Sequence, residues 1–149
     1  MKLVRSERGF TLMEVLVTVA IVGILAAIAI PSYTSYIQRS NRSDARTQLL
    51  QAAAFLQTCF SQNNDYRCAP AGPSTMTPPF DQAPMSPAAA KYNITINSGG
   101  GVNSTNFELR AAPTGTMAGD ECGTFTLTSA GVRDIIATSG RTANDCWSR

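Results

Sequence analysis

Histidine is absent from this chain of 149 residues. Its absence excludes Ser-His and Cys-His nucleophile pairs and every zinc site that needs an imidazole. Charge is sparse as well: twelve Lys and Arg face ten Asp and Glu, a net +2. Lys2, Arg5 and Arg8 against Glu7 supply that whole surplus, and from Phe10 onward nine basic residues meet nine acidic ones. A neutral chain lacks the dense basic face that bulk phosphate binding requires. The four cysteines, Cys59, Cys68, Cys122 and Cys146, form no Cys-x-x-Cys pair, which removes zinc and dithiol redox readings. Gly99-Gly100-Gly101 is not followed by the Lys-Ser/Thr of a phosphate loop. Asp120, Glu121, Asp134 and Asp145 fit no calcium-loop spacing and read as solvated turn acids. No catalytic residue, cofactor or metal is therefore expected. An even, widely spaced cysteine set suits structural disulfides in an oxidising compartment.

What the chain has is a long apolar run. Val15 to Ile30 carries no charge, and extension back to Phe10 gives twenty-one residues with one acid, Glu14. About 20 apolar residues span a bilayer as a helix. The basic stretch MKLVRSERG in front makes the pattern one of export rather than of a buried core helix. An ordinary signal peptide could be cut at Ala27-Ile28-Ala29, and a plain anchor would keep the run. Neither explains Glu14, because a carboxylate in a membrane helix costs up to about 3 kcal/mol on insertion scales.

Gly9-Phe10-Thr11-Leu12-Met13-Glu14 after a short charged leader resembles the prepilin signature of type IV pilins and their relatives. The resemblance implies cleavage of the Gly9–Phe10 bond by a prepilin peptidase that also N-methylates Phe10, removing residues 1–9. Glu14 then becomes the fifth residue of the mature chain, one turn below a positive amine. In a filament of staggered helices the amine of one copy can pair with Glu14 of another. At an effective dielectric near 20 such a pair is worth roughly 4 kcal/mol before desolvation. It would fix axial register as a lone polar residue does in a coiled coil. Pro31 sits where such pilins carry a helix-kinking proline. Pro31 removes one backbone bond, and Gly23 is a second weak point, so both are expected kink positions.

Helical periodicity continues past Pro31. Tyr33, Ile37, Ala45, Leu49, Ala52, Leu56 and Cys59 recur in steps that are mostly three or four. Residues 10–31 are thus read as a transmembrane and filament-core segment, and 32–62 as an amphipathic helix. A helix from Phe10 to Gln62 would be about 80 Å long. Residues 63–91, with Pro70, Pro73, Pro78, Pro79, Pro84 and Pro87, read as a loop without regular structure. Residues 92–138 then give four alternating strands in meander order, with Leu49, Ala53, Leu56 and Phe60 as their helical cover. Four cysteines permit three connectivities, of which Cys59–Cys68 with Cys122–Cys146 is the simplest. The second bridge would close a C-terminal loop over 122–149.

GDECGTFTLTSAG and the ending NDCW resemble the tail of minor pilins of the PilE type, through Asp120, Cys122, Gly123, Leu127, Gly131, Cys146 and Trp147. The family resemblance implies an α+β pilin fold, a long N-terminal helix packed on a four-stranded antiparallel sheet with disulfide-stapled loops. It implies a minor pilin, held in the bacterial inner membrane with its head, residues 63–149, in the periplasm. From there the assembly platform would extract it into the pilus among other pilin subunits. Pilus biogenesis, twitching motility, adhesion or DNA uptake follow as expected roles. A major pilin, a type II secretion pseudopilin and a DNA-receptor minor pilin are the alternatives. DNA as a partner requires an uneven surface charge, because nine basic residues meet eight acidic ones once the leader and Glu14 are set aside. Trp147 reads as a packing residue beside a disulfide.

Overall fold

The computed structural model describes residues 9–64, 66, 74–96, 105–137 and 139–148. In chain order the elements are α1 (Leu12–Asn63), β1 (Ser74–Thr75), β2 (Gln82–Ala83), β3 (Tyr92–Ile96), β4 (Glu108–Pro113), β5 (Thr124–Thr128), β6 (Arg133–Ile136) and α2 (Ala143–Trp147). A 3-10 turn, Gly115–Met117, joins β4 to β5. The chain divides into two compact units, the first ending at Ile37 and the second beginning at Gln38.

The first unit is the N-terminal part of α1. The expected start at Phe10 moves to Leu12, because Thr11 caps the helix: the Glu14 amide donates to Thr11 Oγ1 at 3.3 Å. Its apolar side chains lie in the open, Phe10 at 85% and Leu12 at 79% exposure. A helix that is apolar all round belongs in lipid or among other helices. Three of its hydroxyls are satisfied by the helix's own backbone. Thr18, Thr34 and Ser35 donate to the carbonyls of Val15, Pro31 and Ser32, which hides their polarity from an apolar surround. Gly23 and Pro31 both lie inside the helix, which continues through them.

In the second unit α1 becomes one-sided. Ala45, Leu49, Ala52, Leu56 and Cys59 are buried, in steps of four, three, four and three that keep one stripe against the sheet. Tyr33 and Ile37, read as part of the same stripe, are exposed. Sheet order is β1-β3-β4-β5-β6, with β2 also on β3, and every pairing is antiparallel. Register sets Ile94 opposite Ala111 and Ala111 opposite Phe125, so the inward positions line up across three strands. Ile94, Ile96, Leu109, Ala111, Phe125 and Leu127 meet the α1 stripe in the core. Gly131 closes the β5–β6 hairpin at φ +78°, where its amide donates to the Thr128 carbonyl.

Two expectations are corrected. The sheet has six strands, not four, and residues 63–91 are not without regular structure. Ser74–Thr75 and Gln82–Ala83 both pair with β3. Pairs of two residues show no alternation along the chain, so only β3 opposite them reveals them. The C-terminal loop also contains a helix, α2, with a full capping box: Asp145 N–H to Thr142 Oγ1, and Thr142 N–H to Asp145 Oδ2. The Gly99-Gly100-Gly101 run, between β3 and β4, lies outside the described residues.

Candidate functional site

At the N-terminal end Phe10, Glu14, Val15 and Thr18 line a small cleft on one face of α1. Phe10 and Glu14 are one turn apart, which stacks their side chains along the helix. Gly9, Phe10 and Glu14 are all solvent-exposed. The helix thus presents a carboxylate that has no ion-pair partner among the described residues, on an apolar surface. Glu14 also serves as the third helical residue after the Thr11 cap. The spacing Thr-x-x-Glu, a capping-box pattern, is readable in the sequence beside the prepilin signature.

A second polar centre sits under the sheet. Arg42, on α1, donates through Nε and Nη2 to Asp120 Oδ1 at 2.9 and 2.5 Å. Tyr92 OH donates to the other oxygen, Oδ2, at 2.9 Å. The Asp120 side chain is 1% exposed, so the reading of Asp120 as a solvated turn acid is wrong. Its partner stands 78 residues away in sequence, and no local pattern announces such a pairing. Burial lowers the pKa of Arg42, but the Asp120 hydrogen bond and charge outweigh it and the net shift is upward. Burial, then Asp120, hold the Tyr92 phenol above its ordinary value. Glu121 next door is exposed as expected; Arg141 pairs with it at 2.5 Å and lowers its pKa.

A third group gathers at the C-terminus. Cys122 and Cys146 are bonded as expected, with Cα atoms 5.9 Å apart. Cys59 is also disulfide-bonded, and Cys68 lies outside the described residues. The Cys122–Cys146 bond holds α2 beside β6. Trp147 meets Phe125 edge-on at 5.7 Å, consistent with a packing role. Its Nε1–H donates to the Asp134 carbonyl on β6 at 2.9 Å, while the Ile135 amide donates to Asp134 Oδ1. Arg133 lies 5.6 Å over the indole, a cation–π contact. Arg46 reaches from α1 to the carbonyls of Cys146 and Trp147 through Nη1, at 3.3 and 2.7 Å. Burial, then the charge of Arg42, lower the Arg46 pKa. Neither Arg46 nor Arg133 stands out in the sequence, where each is one basic residue among many.

Comparisons with known proteins bear on the N-terminal motif and on the fold. Residues 4–30 match a family model described as the prokaryotic N-terminal methylation motif. Residues 31–126 match one described as type IV minor pilin ComP, DNA uptake sequence receptor. The chain is 46% identical over 60 residues to the type IV major pilin protein PilA of Myxococcus xanthus, covering 40% of this chain and 27% of that protein. It is 25% identical over 142 residues to fimbrial protein Q of Moraxella bovis, covering 95% of this chain and 84% of the relative. With the major fimbrial protein FimA of Dichelobacter nodosus the match covers 34% of the relative, so the stronger identities span about a third of their partners. The crystal structure of the non-core minor pilin PilV of Neisseria meningitidis superposes with a TM-score of 0.50 at 21% identity. That match covers 72% of this chain and 95% of that one, and shows a shared fold.

Proposed function

Because the chain belongs to the type IV minor pilin family whose model is described as the ComP DNA uptake sequence receptor, we propose that it is a pilus subunit whose chemistry is self-assembly. The exposed apolar part of α1 carries the reading, since such a surface is stable only in lipid or among like helices. Before assembly this helix anchors the protein once in the inner membrane with its head in the periplasm. A prepilin peptidase removes the leader after Gly9 and methylates Phe10, and the assembly platform then draws the subunit into the pilus. Glu14 pairs with the new amine of a neighbouring pilin. Gly23 and Pro31 let the helix bend as it packs. The protein acts by polymerising, not by catalysis, and pilus-dependent motility, adhesion or DNA uptake follow from its place in the filament.

The test is Glu14→Val. Membrane insertion should be unchanged or easier, because a charge has left an apolar helix. Incorporation into sheared pili should fall, since the neighbour's amine is left unpaired, a loss of about 3–5 kcal/mol. Normal pilus levels of the variant would refute the pairing. N-terminal mass spectrometry should find N-methylated Phe10; a start at Ile30 would refute pilin processing.

A second reading, a DNA receptor, has support in the family description and in the uneven charge of the head. Arg42, Arg110 and Arg141 are each bonded to a carboxylate, whereas Arg46 and Arg133 have none among the described residues.

A further inference from the structure

Two large side chains of the first unit have no partner in the chain and are too polar at their tips for lipid tails. Tyr33 and Tyr36 are 67% and 64% exposed on α1, just past the apolar run. Neither phenol makes a hydrogen bond among the described residues, whereas Thr34 and Ser35 between them donate to their own helix backbone. Val15 to Gln38 holds no charge, and Arg39 is the first charged residue after Glu14. We propose that Tyr33 and Tyr36 anchor the helix in the phospholipid headgroup layer of the periplasmic leaflet and so set how deep Glu14 sits. The proposal rests on the membrane-anchored reading of the subunit before assembly, and names the lipid groups that this end of the helix meets.

Length selects the headgroup layer. Leu12 to Ile30 is about 27 Å of helix, and Phe10 and Thr11 before its first turn complete the roughly 30 Å of a hydrocarbon core. The Cα atoms of Tyr33 and Tyr36 then stand about 4.5 and 9 Å past that core, beside a headgroup layer about 5–7 Å thick. Helix side chains lean toward the N-terminus, here back toward the membrane, so both rings come down into the layer. At that level a phenol keeps its ring at the apolar boundary and its hydroxyl among phosphate and ester oxygens, as interfacial Tyr and Trp do. Thr34 and Ser35 already donate to Pro31 and Ser32, which leaves the two phenols as the donors of this turn that lipid can hold. The other end of the span depends on the same anchor. Glu14 lies about 24 Å below Ile30, about 6 Å short of the cytoplasmic face of the core. Its side chain also leans toward the N-terminus, so the carboxylate reaches toward the cytoplasmic headgroups. A slide of one turn toward the periplasm, about 5 Å, would strand that charge in hydrocarbon. Packing against neighbouring pilin helices is the rival use of the two rings, and it requires no lipid.

The experiment reconstitutes the full chain, disulfides intact, in vesicles of phosphatidylethanolamine and phosphatidylglycerol. A single added cysteine, Ile28→Cys, Ser32→Cys or Ser40→Cys, is labelled with a maleimide that cannot cross the bilayer, and the rate is read for the outward-facing fraction. Ser40→Cys should react fast and Ile28→Cys slowly, with Ser32→Cys between them. Tyr33→Leu with Tyr36→Leu lengthens the apolar run and removes the phenols, so Ser32→Cys should react about fivefold more slowly. Tyr33→Trp with Tyr36→Trp keeps an interfacial pair and should leave that rate unchanged. Leu is a strong helix former, so α1 is retained, and circular dichroism of the same vesicles checks it. An unchanged Ser32→Cys rate in the double Leu variant overturns the anchor and leaves the membrane-anchored reading standing. Loss of that variant from sheared pili at an unchanged labelling rate assigns the rings to helix packing instead. Ile28→Cys as reactive as Ser40→Cys in otherwise wild-type chain overturns the membrane-anchored reading, and the anchor with it.

Discussion

Asp120→Ala tests whether the buried polar centre holds the head together. The substitution removes both acceptors at once: Arg42 loses its two bonds to Oδ1 and Tyr92 loses Oδ2. Tyr92 is fully buried, and an unmatched buried donor costs about 1–3 kcal/mol. Breaking one side of a buried ion pair typically costs about 3–5 kcal/mol. The Arg42 side chain is 16% exposed and can turn partly to water, which places the sum near 3 kcal/mol, at the lower end. For a head of this size that is a fall in Tm of about 12 °C. Trp147, the sole tryptophan, reports the transition by its fluorescence. Arg42→Met should cost a similar amount, by stranding the carboxylate. The double variant Arg42→Met, Asp120→Leu should return to within about 1 kcal/mol of wild type, because a buried pair gains little over apolar residues of similar volume. A melting shift for Asp120→Ala below about 3 °C would show the centre to be energetically idle. Additive single effects in the cycle would show that Arg42 and Asp120 do not act as a pair.

Other perturbations have different signs. Tyr92 is held neutral in the folded head, so the unfolded chain loses that proton first as pH rises. Stability should be full below about pH 10 and fall above it, by up to about 1.4 kcal/mol per pH unit. Denaturant titrations of wild type against Tyr92→Phe should show that slope in the former alone. Gly123 has φ +61°, and an added Cβ would stand 2.1 Å from the Ile136 carbonyl oxygen, so Gly123→Ala should cost about 3 kcal/mol or more. Gly131 also has a positive φ but open space around it, and Gly131→Ala should cost only about 1 kcal/mol in the same melts. Gln48 Oε1 is buried with no partner among the described residues, so Gln48→Met should raise stability by about 1 kcal/mol; a lowered Tm would contradict this.

The parts of the fold that can be read from the sequence are those with a local period. The stripe from Ala45 to Cys59 and the alternation of Tyr92–Ile96 encode burial within a few residues of themselves, while in Thr124–Thr128 the alternation marks the strand although Thr126 is buried with Phe125 and Leu127. Thr142-x-x-Asp145 is local too, but with Asp in place of the usual Glu and only five helical residues behind it, the capping box is easily mistaken for a turn. Gly9, Phe10 and Glu14 are legible for another reason: they fall in a contiguous stretch that matches the N-terminal methylation motif, a pattern that does not depend on how the rest of the chain folds. The polar centre cannot be read in this way. Arg42 looks like one charge in a polar turn of helix, and Asp120 like an acid in a Gly-rich turn. Only the sheet register, which brings Tyr92 beneath both, makes them a unit. Arg46 and Arg133, without a carboxylate partner among the described residues, are hidden by the same arithmetic that makes the chain look neutral. Net charge counts pairs and lone charges alike, and only the fold separates them.

A chain built to join with its own kind has a hazard as well as a purpose. β6 is the last strand of the sheet, and a bare outer strand offers carbonyls and amides on which another copy can lay down a strand of its own. Along a filament such heads would crowd one another permanently, where even weak mispairing could spread from neighbour to neighbour. The indole Nε1–H on the Asp134 carbonyl, and the Asp134 carboxylate on the next amide, occupy part of that rim. α2, tethered by Cys122–Cys146, keeps the indole there. The bridge at the end of the chain thus bears on which backbone groups of β6 stay covered. Any strand added at this edge would first have to displace the indole from the Asp134 carbonyl and the Asp134 carboxylate from the Ile135 amide.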